Sequence, residues 1–286
     1  EAAQPGRRDG SDRKAEDMSC ACGHHHPRHE TGCEAEGPTI ALDRPMIALT
    51  GRLICADPAQ LMTALTLLPD HVDQSRAEPG CLRFDLRQDE DPLVWHLSEL
   101  FTDGEAFAAH QQRTKASAWG RDSRDIARDF HRREAMPAIR PERRPDADAI
   151  SRLLRDAFAG EVEARLVEAL RAAGDLSMSL VAEAGGMILG HVGLSPMTGD
   201  EAAFALAPVA VAPAMQRRGI GQALVRAALA GAGSRPVVVL GAPDYYARLG
   251  FRPADLDSPH AGPFLQVAGD LPAGARIRHA PAFEAV

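Results

Sequence analysis

A six-residue stretch, Gln-Arg-Arg-Gly-Ile-Gly at 216–221, has the residue types and spacing of an anion-binding loop. It follows an apolar run, 204–211, and a turn containing Pro213, and an amphipathic run follows it. This order predicts a strand, a tight loop and the start of a helix. Free N–H groups and the helix dipole at such a start suit a phosphate or pyrophosphate. Gly219 and Gly221 let a ligand come close to the backbone, and the two arginines add positive charge.

The spacing differs from two common phosphate loops. A Walker loop has four residues between its glycines and then Lys and Ser/Thr, and a dinucleotide fingerprint reads G-x-G-x-x-G. The stretch instead resembles the Q/R-x-x-G-x-G/A loop of the GCN5-related N-acetyltransferases (GNAT), which holds the pyrophosphate of acetyl-CoA. The resemblance implies acetyl-CoA as co-substrate, bound by Val209, Ala210, Val211, Gln216, Arg217, Arg218, Gly219, Ile220, Gly221 and Gln222.

Three further stretches extend this resemblance over residues 137–286. They are the hairpin formed by 180–183 and 190–193, the strand at 237–241, and the Y-x-x-x-G-F segment at 246–251. The resemblance implies an acyl-CoA N-acyltransferase fold in which Tyr246 protonates the departing CoA thiolate. A phenol suits this role because its pKa lies not far above that of a thiol. The alternatives are that Tyr246 only packs under the cofactor, or that its neighbour Tyr245 acts instead.

The general base that accepts a proton from the amine has four candidates. Glu161, Glu163, Glu183 and His191 carry groups that can accept a proton, directly or through water. Each also has a structural interpretation, as a solvated charge or, for His191, as a hydrogen-bonded strand residue. The sequence leaves these alternatives open.

Residues 46–134 predict a separate domain with the element order β-α-β-β-α-β, a ferredoxin-like unit. Asp57 and Asp103 are expected helix caps, and Pro58 suits a first helical position. The expected strands and helices are 46–55, a helix from Pro58, 81–86, 93–101, 104–118 and 125–131. A linker is expected at 135–138. Beyond it we expect a strand at 138–140, a helix that ends at Phe158, a helix over 161–173, and strands at 179–183 and 187–194 joined by Gly185-Gly186 as a hairpin turn.

The first domain resembles the antibiotic-biosynthesis-monooxygenase family in the stretches 78–85, 97–103 and 106–110. The resemblance implies a dimeric α+β barrel in which domains pair through their sheets. Some members oxygenate quinol-like substrates without a cofactor, and others degrade haem. His110 falls where the family often has a helix histidine facing the cavity, beside Glu99, whereas Phe101 replaces the usual Trp and argues against haem degradation. His110 either takes a proton from a phenolic substrate or hydrogen-bonds Glu99 and holds the core together, and we favour the structural role.

Composition narrows the class of protein. The chain has 286 residues, 45% of them apolar, and a net charge of −8 without a long basic stretch, which argues against a nucleic-acid partner. No apolar run approaches the ~20 residues of a membrane span, and we recognise no secretory signal. Five cysteines do not predict a disulfide framework.

Residues 1–45 are rich in Gly, Pro and charge and predict a disordered tail. The chain begins with Glu1, and Met18 is a candidate start codon. The tail contains several Zn or Cu ligand types, namely Cys20, Cys22, His24, His25, His26, His29 and Cys33. Their spacing does not match a structural zinc site, so we expect no metal site and keep metal handling as a minor alternative.

The sequence therefore predicts a bacterial, cytoplasmic α+β protein of two domains behind a tail. Residues 46–134 form a monooxygenase-like domain, with homodimerisation through it, and 137–286 form an acetyl-CoA-dependent N-acetyltransferase. The acceptor is an amine of a small molecule or protein. Two alternatives remain: a cofactor-independent monooxygenase whose second domain is accessory, and a non-catalytic acyl-CoA sensor.

Overall fold

The computed structural model describes residues 37–285. The first domain is a four-stranded antiparallel sheet in the order β2-β3-β1-β4, with its helices packed against one face. Its elements are β1 (Met46–Ile54), α1 (Pro58–Arg76), β2 (Cys81–Gln88), β3 (Val94–Phe101), α2 (Gly104–Ala116), α3 (Ala118–Asp122) and β4 (Ala127–Ala135). This order confirms the predicted ferredoxin-like unit.

Both predicted helix caps are present. The backbone N–H of Gln60 donates to Asp57 Oδ1 at 2.9 Å, and that of Ala106 donates to Asp103 Oδ1 at 3.0 Å. The second helix stops at Ala116, before its predicted end, because Ser117 is extended and caps a new short helix, α3. Side-chain oxygens at these positions satisfy amides that the helix itself leaves free.

The second domain is built on a larger mixed sheet. Its strands are β5 (Ala138–Pro141), β6 (Met178–Ala184), β7 (Met187–Gly199), β8 (Ala203–Val211), β9 (Val237–Leu240), β10 (Arg252–Pro253), β11 (Leu256–Asp257), β12 (Leu265–Ala268) and β13 (Ala275–Arg278). Its helices are α4 (Ala147–Phe158), α5 (Val162–Ala173), α6 (Ile220–Ala232) and α7 (Pro243–Ala247). The central order is β5-β6-β7-β8-β9-β12-β10, and Gly185-Gly186 forms the predicted hairpin turn with positive φ at both residues.

Two predicted boundaries are wrong. β4 runs to Ala135, so only Met136 and Pro137 separate it from β5, and the expected four-residue linker is absent. The tail was expected to extend to residue 45, yet the Ile40 N–H donates to the Pro137 carbonyl at 2.7 Å and Ile40 and Leu42 are buried. Burial of the Ile40 and Leu42 side chains in the core favours an ordered conformation of this segment. The cysteine/histidine tract at 20–33 lies outside the described residues.

The two domains share one continuous hydrophobic core. Met46, Ala48 and Leu100, from the sheet face opposite the first domain's helices, cluster with Leu189 of β7 and Leu224 of α6. Within residues 37–285, no helix combines the length and apolar composition of a membrane span. The shared core fixes the second domain, and the site that it carries, against the first domain's sheet.

Candidate functional site

The site begins where two parallel strands stop pairing. β8 and β9 are hydrogen-bonded only at Phe204–Val237 and Ala205–Val238, after which β8 continues to Val211 beside β7 alone. The edge of β8 that faces β9 therefore has no ladder after Ala205, within the residues described. Carboxyl ends of parallel strands are where open sheets bind ligands.

A cavity of about 530 Å³ lies at this end of β8. Its lining comes from the end of β8, the following loop, the first turn of α6 and the short helix α7. The lining residues are Val209, Val211, Gln216, Arg217, Gly219, Gly221, Gln222, Tyr245 and Tyr246. Eight of these nine are residues that the sequence predicted for the site, and Tyr245 is the addition.

The loop presents backbone donors to the cavity. Gly219 caps α6 in the left-handed region, with φ of 86°, and supplies no capping side chain. The first intrahelical bond shown here runs from the Ala223 N–H to the Gly219 carbonyl, so the amides of the first turn before Ala223 have no partner within the helix. Arg217, also left-handed at φ of 61°, is exposed at the rim of the cavity. Free amides, helix dipole and guanidinium together favour an anion.

Gly221 is required by the close approach of a neighbouring side chain. A Cβ built on Gly221 would lie 2.9 Å from Tyr245 Oη and 3.5 Å from Val211 Cγ2. The Tyr245 hydroxyl therefore stands beside the first turn of α6, where the free amides are. The sequence analysis named Tyr245 only as a competitor of Tyr246. The second glycine of the loop was the available clue to its position.

Three predicted residues have side chains outside the cavity lining. Ala210 is buried on the opposite face of β8, because side chains alternate along a strand, and Ile220 is buried in the core. The Arg218 guanidinium turns toward the first domain, where Nη1 donates to the Thr102 carbonyl at 2.7 Å and Nη2 donates to the Arg44 carbonyl.

Tyr246 lines the cavity, and its ring packs closely against neighbouring residues. Its ring packs edge-to-face on Phe251 at 5.3 Å, and a Cβ on Gly241 would lie 2.1 Å from Tyr246 Cε2. Burial, and then the neighbouring Tyr245, raises the pKa of Tyr246 to about 12. The hydroxyl is thus protonated at neutral pH and can donate a proton or a hydrogen bond.

Glu183, a predicted base candidate, belongs to a buried ion-pair network. Its Oε2 accepts from Arg140 Nε at 2.6 Å, and the same guanidinium donates to both Asp146 oxygens at 2.6 and 3.0 Å. All three groups lie at the start of the second domain, near the β5–β6 pair. Glu183 is absent from the cavity lining, and its carboxylate already has a structural partner.

The other base candidates also lie outside the cavity lining. His191 is fully buried, and burial, with Arg171 adding to it, lowers its pKa to about 3. Its Nε2 lies 2.9 Å from Ser179 Oγ, as expected for a neutral strand histidine. Glu161 accepts from Arg155 at 2.8 Å on the surface, and Glu163 is partly exposed on α5.

The first domain holds a second group of titratable residues, the histidine cluster: His71, Glu78, Glu99, His110 and Arg113. His110 Nδ1 lies 2.9 Å from Glu78 Oε2, whereas its Nε2 is 3.9 Å from Glu99 Oε2. Its close carboxylate partner is therefore Glu78 and not Glu99. Arg113 donates to the other oxygen of Glu78.

Burial controls the protonation of this cluster. Desolvation, and then Glu78, raises the pKa of Glu99 to about 8, and desolvation lowers the pKa of His71 to about 3. Burial also lowers the pKa of His110. Among residues 37–285, Glu99 Oε2 and His71 Nδ1 have no hydrogen-bond partner. The sequence analysis missed His71, although it falls on the buried face of α1 that Ala64 and Leu68 mark.

Two family models match the chain. The model described as acetyltransferase (GNAT) domain matches residues 175–253. The model described as antibiotic biosynthesis monooxygenase matches residues 46–122. The chain therefore joins two domains of the kinds that the sequence resemblances implied.

Three acetyltransferase matches each cover part of the chain. An uncharacterised N-acetyltransferase of Escherichia coli K12, YhbS, is 38% identical over 120 residues, covering 40% of this chain and 72% of that protein. A GNAT family acetyltransferase from Brucella melitensis, solved with acetyl-CoA, is 37% identical over 51% of this chain and 97% of its own, with a TM-score of 0.46. A crystal structure of E. coli YhbS with CoA is 32% identical over 52% of this chain and 92% of its own, with a TM-score of 0.48.

Proposed function

The chain belongs to the GNAT acetyltransferase family, and we propose that its C-terminal domain transfers the acetyl group of acetyl-CoA to an amine of a small molecule or protein. The observation that carries the proposal is the cavity at the end of β8. It combines a strand edge without a ladder, an anion-binding loop and a protonated tyrosine. Each of these serves a different part of the reaction.

The loop fits the pyrophosphate of acetyl-CoA. The free amides in the first turn of α6 donate to phosphate oxygens, and Arg217 adds a positive charge at the rim. Gly219 and Gly221 leave the space that a Cβ would fill. We assign the backbone of Val209 to Val211, on the edge of β8 without a ladder, to the pantetheine arm and the thioester carbonyl.

The reaction forms a C–N bond and breaks a C–S bond. The amine lone pair attacks the thioester carbonyl carbon, and backbone N–H groups of β8 stabilise the charge that develops on oxygen. Collapse of the intermediate expels the CoA thiolate, which takes the Tyr246 proton. The attacking nitrogen loses one proton, through water or a base on the acceptor side, and bulk solvent then reprotonates Tyr246. Positioning of two substrates supplies a large share of the rate enhancement.

Calorimetric titration of the full chain with acetyl-CoA tests the donor site. We expect one site per chain and a marked loss of affinity when S-acetylpantetheine, which lacks the nucleotide and the pyrophosphate, replaces acetyl-CoA. A mass-spectrometric search of lysate treated with the protein and labelled acetyl-CoA then identifies acetylated acceptors. Absence of acetyl-CoA binding would refute the proposal.

An acyl-CoA sensor is the competing function for the same cavity. It is favoured by one observation: no carboxylate or imidazole stands among the nine lining residues. Acetyl-CoA binding without CoA release across a broad panel of amines would support the sensor. Release with any amine, lost in Tyr246→Phe, would support the enzyme.

For the N-terminal domain we keep the cofactor-independent monooxygenase as the alternative activity. The observation in its favour is the histidine cluster, in which His110 and Glu99 are each 2% exposed and Glu99 Oε2 has no hydrogen-bond partner among the described residues. In His110→Ala, loss of oxygenation of a quinol substrate with an unchanged fold would support the activity. Unfolding would support the structural role. Homodimerisation through this domain and a cytoplasmic location stay predictions.

A further inference from the structure

The Arg218 side chain connects the acetyl-CoA loop to the first domain. Its Nη1 donates to the carbonyl of Thr102, at the end of β3, and its Nη2 donates to the carbonyl of Arg44, just before β1. Nη1 also lies 3.5 Å from the sulfur of Met215, in the turn that leads into the loop. One guanidinium thus joins the loop to the residue after β3 and to the segment that leads into β1.

Thr102, whose carbonyl accepts from Arg218, is itself held in place by contacts within the first domain. Thr102 is 9% exposed, and its N–H donates to the Gly80 carbonyl at 2.9 Å. Nearby, Arg83 Nη1 donates to the Gly185 carbonyl at 2.6 Å, and a Cβ on Gly185 would lie 3.5 Å from Leu100 Cδ1. Hydrogen bonds and the shared core therefore hold the first domain against the second, at Arg218 and at the turn between β6 and β7.

The loop needs external support because its own conformation is unfavourable. Arg217 is a non-glycine residue in the left-handed region, a conformation that residues with a Cβ rarely adopt. Gly219 caps α6 without a side-chain hydrogen bond. The loop thus lacks the local interactions that usually fix a helix start, whereas Arg218, between these two residues, is bound on two carbonyls.

We propose that Arg218 is a positioning residue, and that the monooxygenase-like domain completes the acetyl-CoA site by holding the loop through it. This inference rests on the proposed function. Arg217 and Arg218 then have different roles despite being neighbours: Arg217 faces the anion, and Arg218 faces neutral carbonyls. The first domain contributes to acetyl transfer without touching either substrate.

The test compares single variants of the full chain by calorimetry with acetyl-CoA. We expect Arg218→Ala to weaken binding by about tenfold, because it removes two charge-assisted hydrogen bonds that set the loop. Arg218→Lys should recover little, since one ammonium cannot reproduce the planar fork on two carbonyls. Arg226→Ala, at an exposed position on α6, is the matched control and should bind as the wild type does.

Salt dependence separates positioning from direct contact with phosphate. A residue that binds the anion contributes to the loss of affinity with salt, so Arg217→Ala should flatten that dependence. Arg218→Ala should leave the slope of the wild type unchanged. In the ligand-free protein, it should also speed hydrogen exchange at 216–223 and at 102–104, whereas Arg217→Ala should not.

Each outcome bears on the inference. Wild-type affinity in Arg218→Ala would overturn the inference and leave the proposed function intact. The same conclusion would follow if Arg218→Lys recovered the affinity and Arg218→Ala had a flattened salt slope. A wild-type protein that binds no acetyl-CoA refutes the proposed function and the positioning role together. If Arg218→Ala fails to fold, Arg218→Lys carries the test, and wild-type affinity, salt slope and exchange in that variant would overturn the inference.

Discussion

The cavity at the end of β8 and the histidine cluster of the first domain use polar groups in opposite ways. The cavity is open and lined mainly by glycines, valines and two tyrosines, and its donors include the free backbone amides of the first turn of α6. The cluster is rich in titratable side chains, yet His71, His110 and Glu99 are each no more than 6% exposed. The histidine cluster therefore has the most ionisable side chains, but the cavity is the more accessible of the two to a ligand. Backbone geometry, set by glycines and by the end of a strand ladder, marks the donor site.

Removing the Tyr246 hydroxyl tests the comparison most strongly. Tyr246→Phe should lower the rate of acetyl transfer by roughly 10²–10⁴-fold, the usual contribution of a general acid. Acetyl-CoA affinity should change little, because the ring still packs on Phe251. Steady-state release of CoA thiol, together with calorimetry, measures both, and Tyr245→Phe is the matched control. An equal loss of rate in Tyr245→Phe would contradict the assignment of Tyr246 as the proton donor.

Breaking the Glu183–Arg140 pair should affect stability and not chemistry. Glu183→Gln leaves a buried guanidinium with a weaker partner, and we expect a loss of up to about 3–5 kcal/mol in the free energy of unfolding. Urea unfolding measures this loss. The pH profile of acetyl transfer should keep its shape at a temperature where the variant is folded. A profile that loses its acidic limb, in which the rate rises as a base is deprotonated, would instead make Glu183 the general base.

The histidine cluster predicts a pH dependence of stability. The pKa of Glu99 is raised to about 8 from 4.5, so the folded state holds this proton more tightly than the unfolded chain does. Its contribution is therefore fully present below pH 4.5 and is lost as pH rises to about 8. The glutamine of Glu99→Gln cannot titrate. Relative to this variant, the free energy of unfolding of the wild type should fall by on the order of 2–4 kcal/mol over that pH window. Parallel pH dependences of the two proteins would show that Glu99 is ionised in the fold.

A single methyl group at Gly221 should disturb the cavity. In Gly221→Ala the new Cβ would lie 2.9 Å from Tyr245 Oη, and we expect acetyl-CoA affinity to fall by about tenfold. The double variant Gly221→Ala/Tyr245→Phe lacks the colliding oxygen and should recover most of the loss. Gly104→Ala, where a Cβ meets nothing within 4 Å, is the control. A double variant as weak as the single one would contradict this geometry.

Local sequence patterns predicted most of the elements but not all of their bounds. Asp57 and Asp103 marked helix starts, and Gly185-Gly186 marked a hairpin, because these residues act on their own neighbours. β7 runs to Gly199, past its predicted end, because β8 and β13 pair with it there. The two-residue strands β10 and β11 lie in a Pro- and Gly-rich stretch and depend on distant partners.

In the candidate site, too, some features follow from local sequence and others depend on distant residues. The glycines and basic residues at 216–221 indicated the loop, and four of those six residues line the cavity, whereas Arg218 and Ile220 do not. The direction of Arg218 depends on carbonyls more than a hundred residues away, and Glu78 pairs with His110, which is 32 residues away in the sequence. Such contacts arise only when distant segments of the chain pack together, so sequence spacing alone could not supply them.

Transfer of a labelled acetyl group from acetyl-CoA to a panel of amines, by the wild type and by Tyr246→Phe side by side, is the most direct test of the central claim. We expect labelled product and stoichiometric CoA release with at least one amine in the wild type, and near-complete loss of both in the variant at unchanged acetyl-CoA affinity. Acetyl-CoA binding with no transfer to any amine, or transfer that is the same in both proteins, would contradict it.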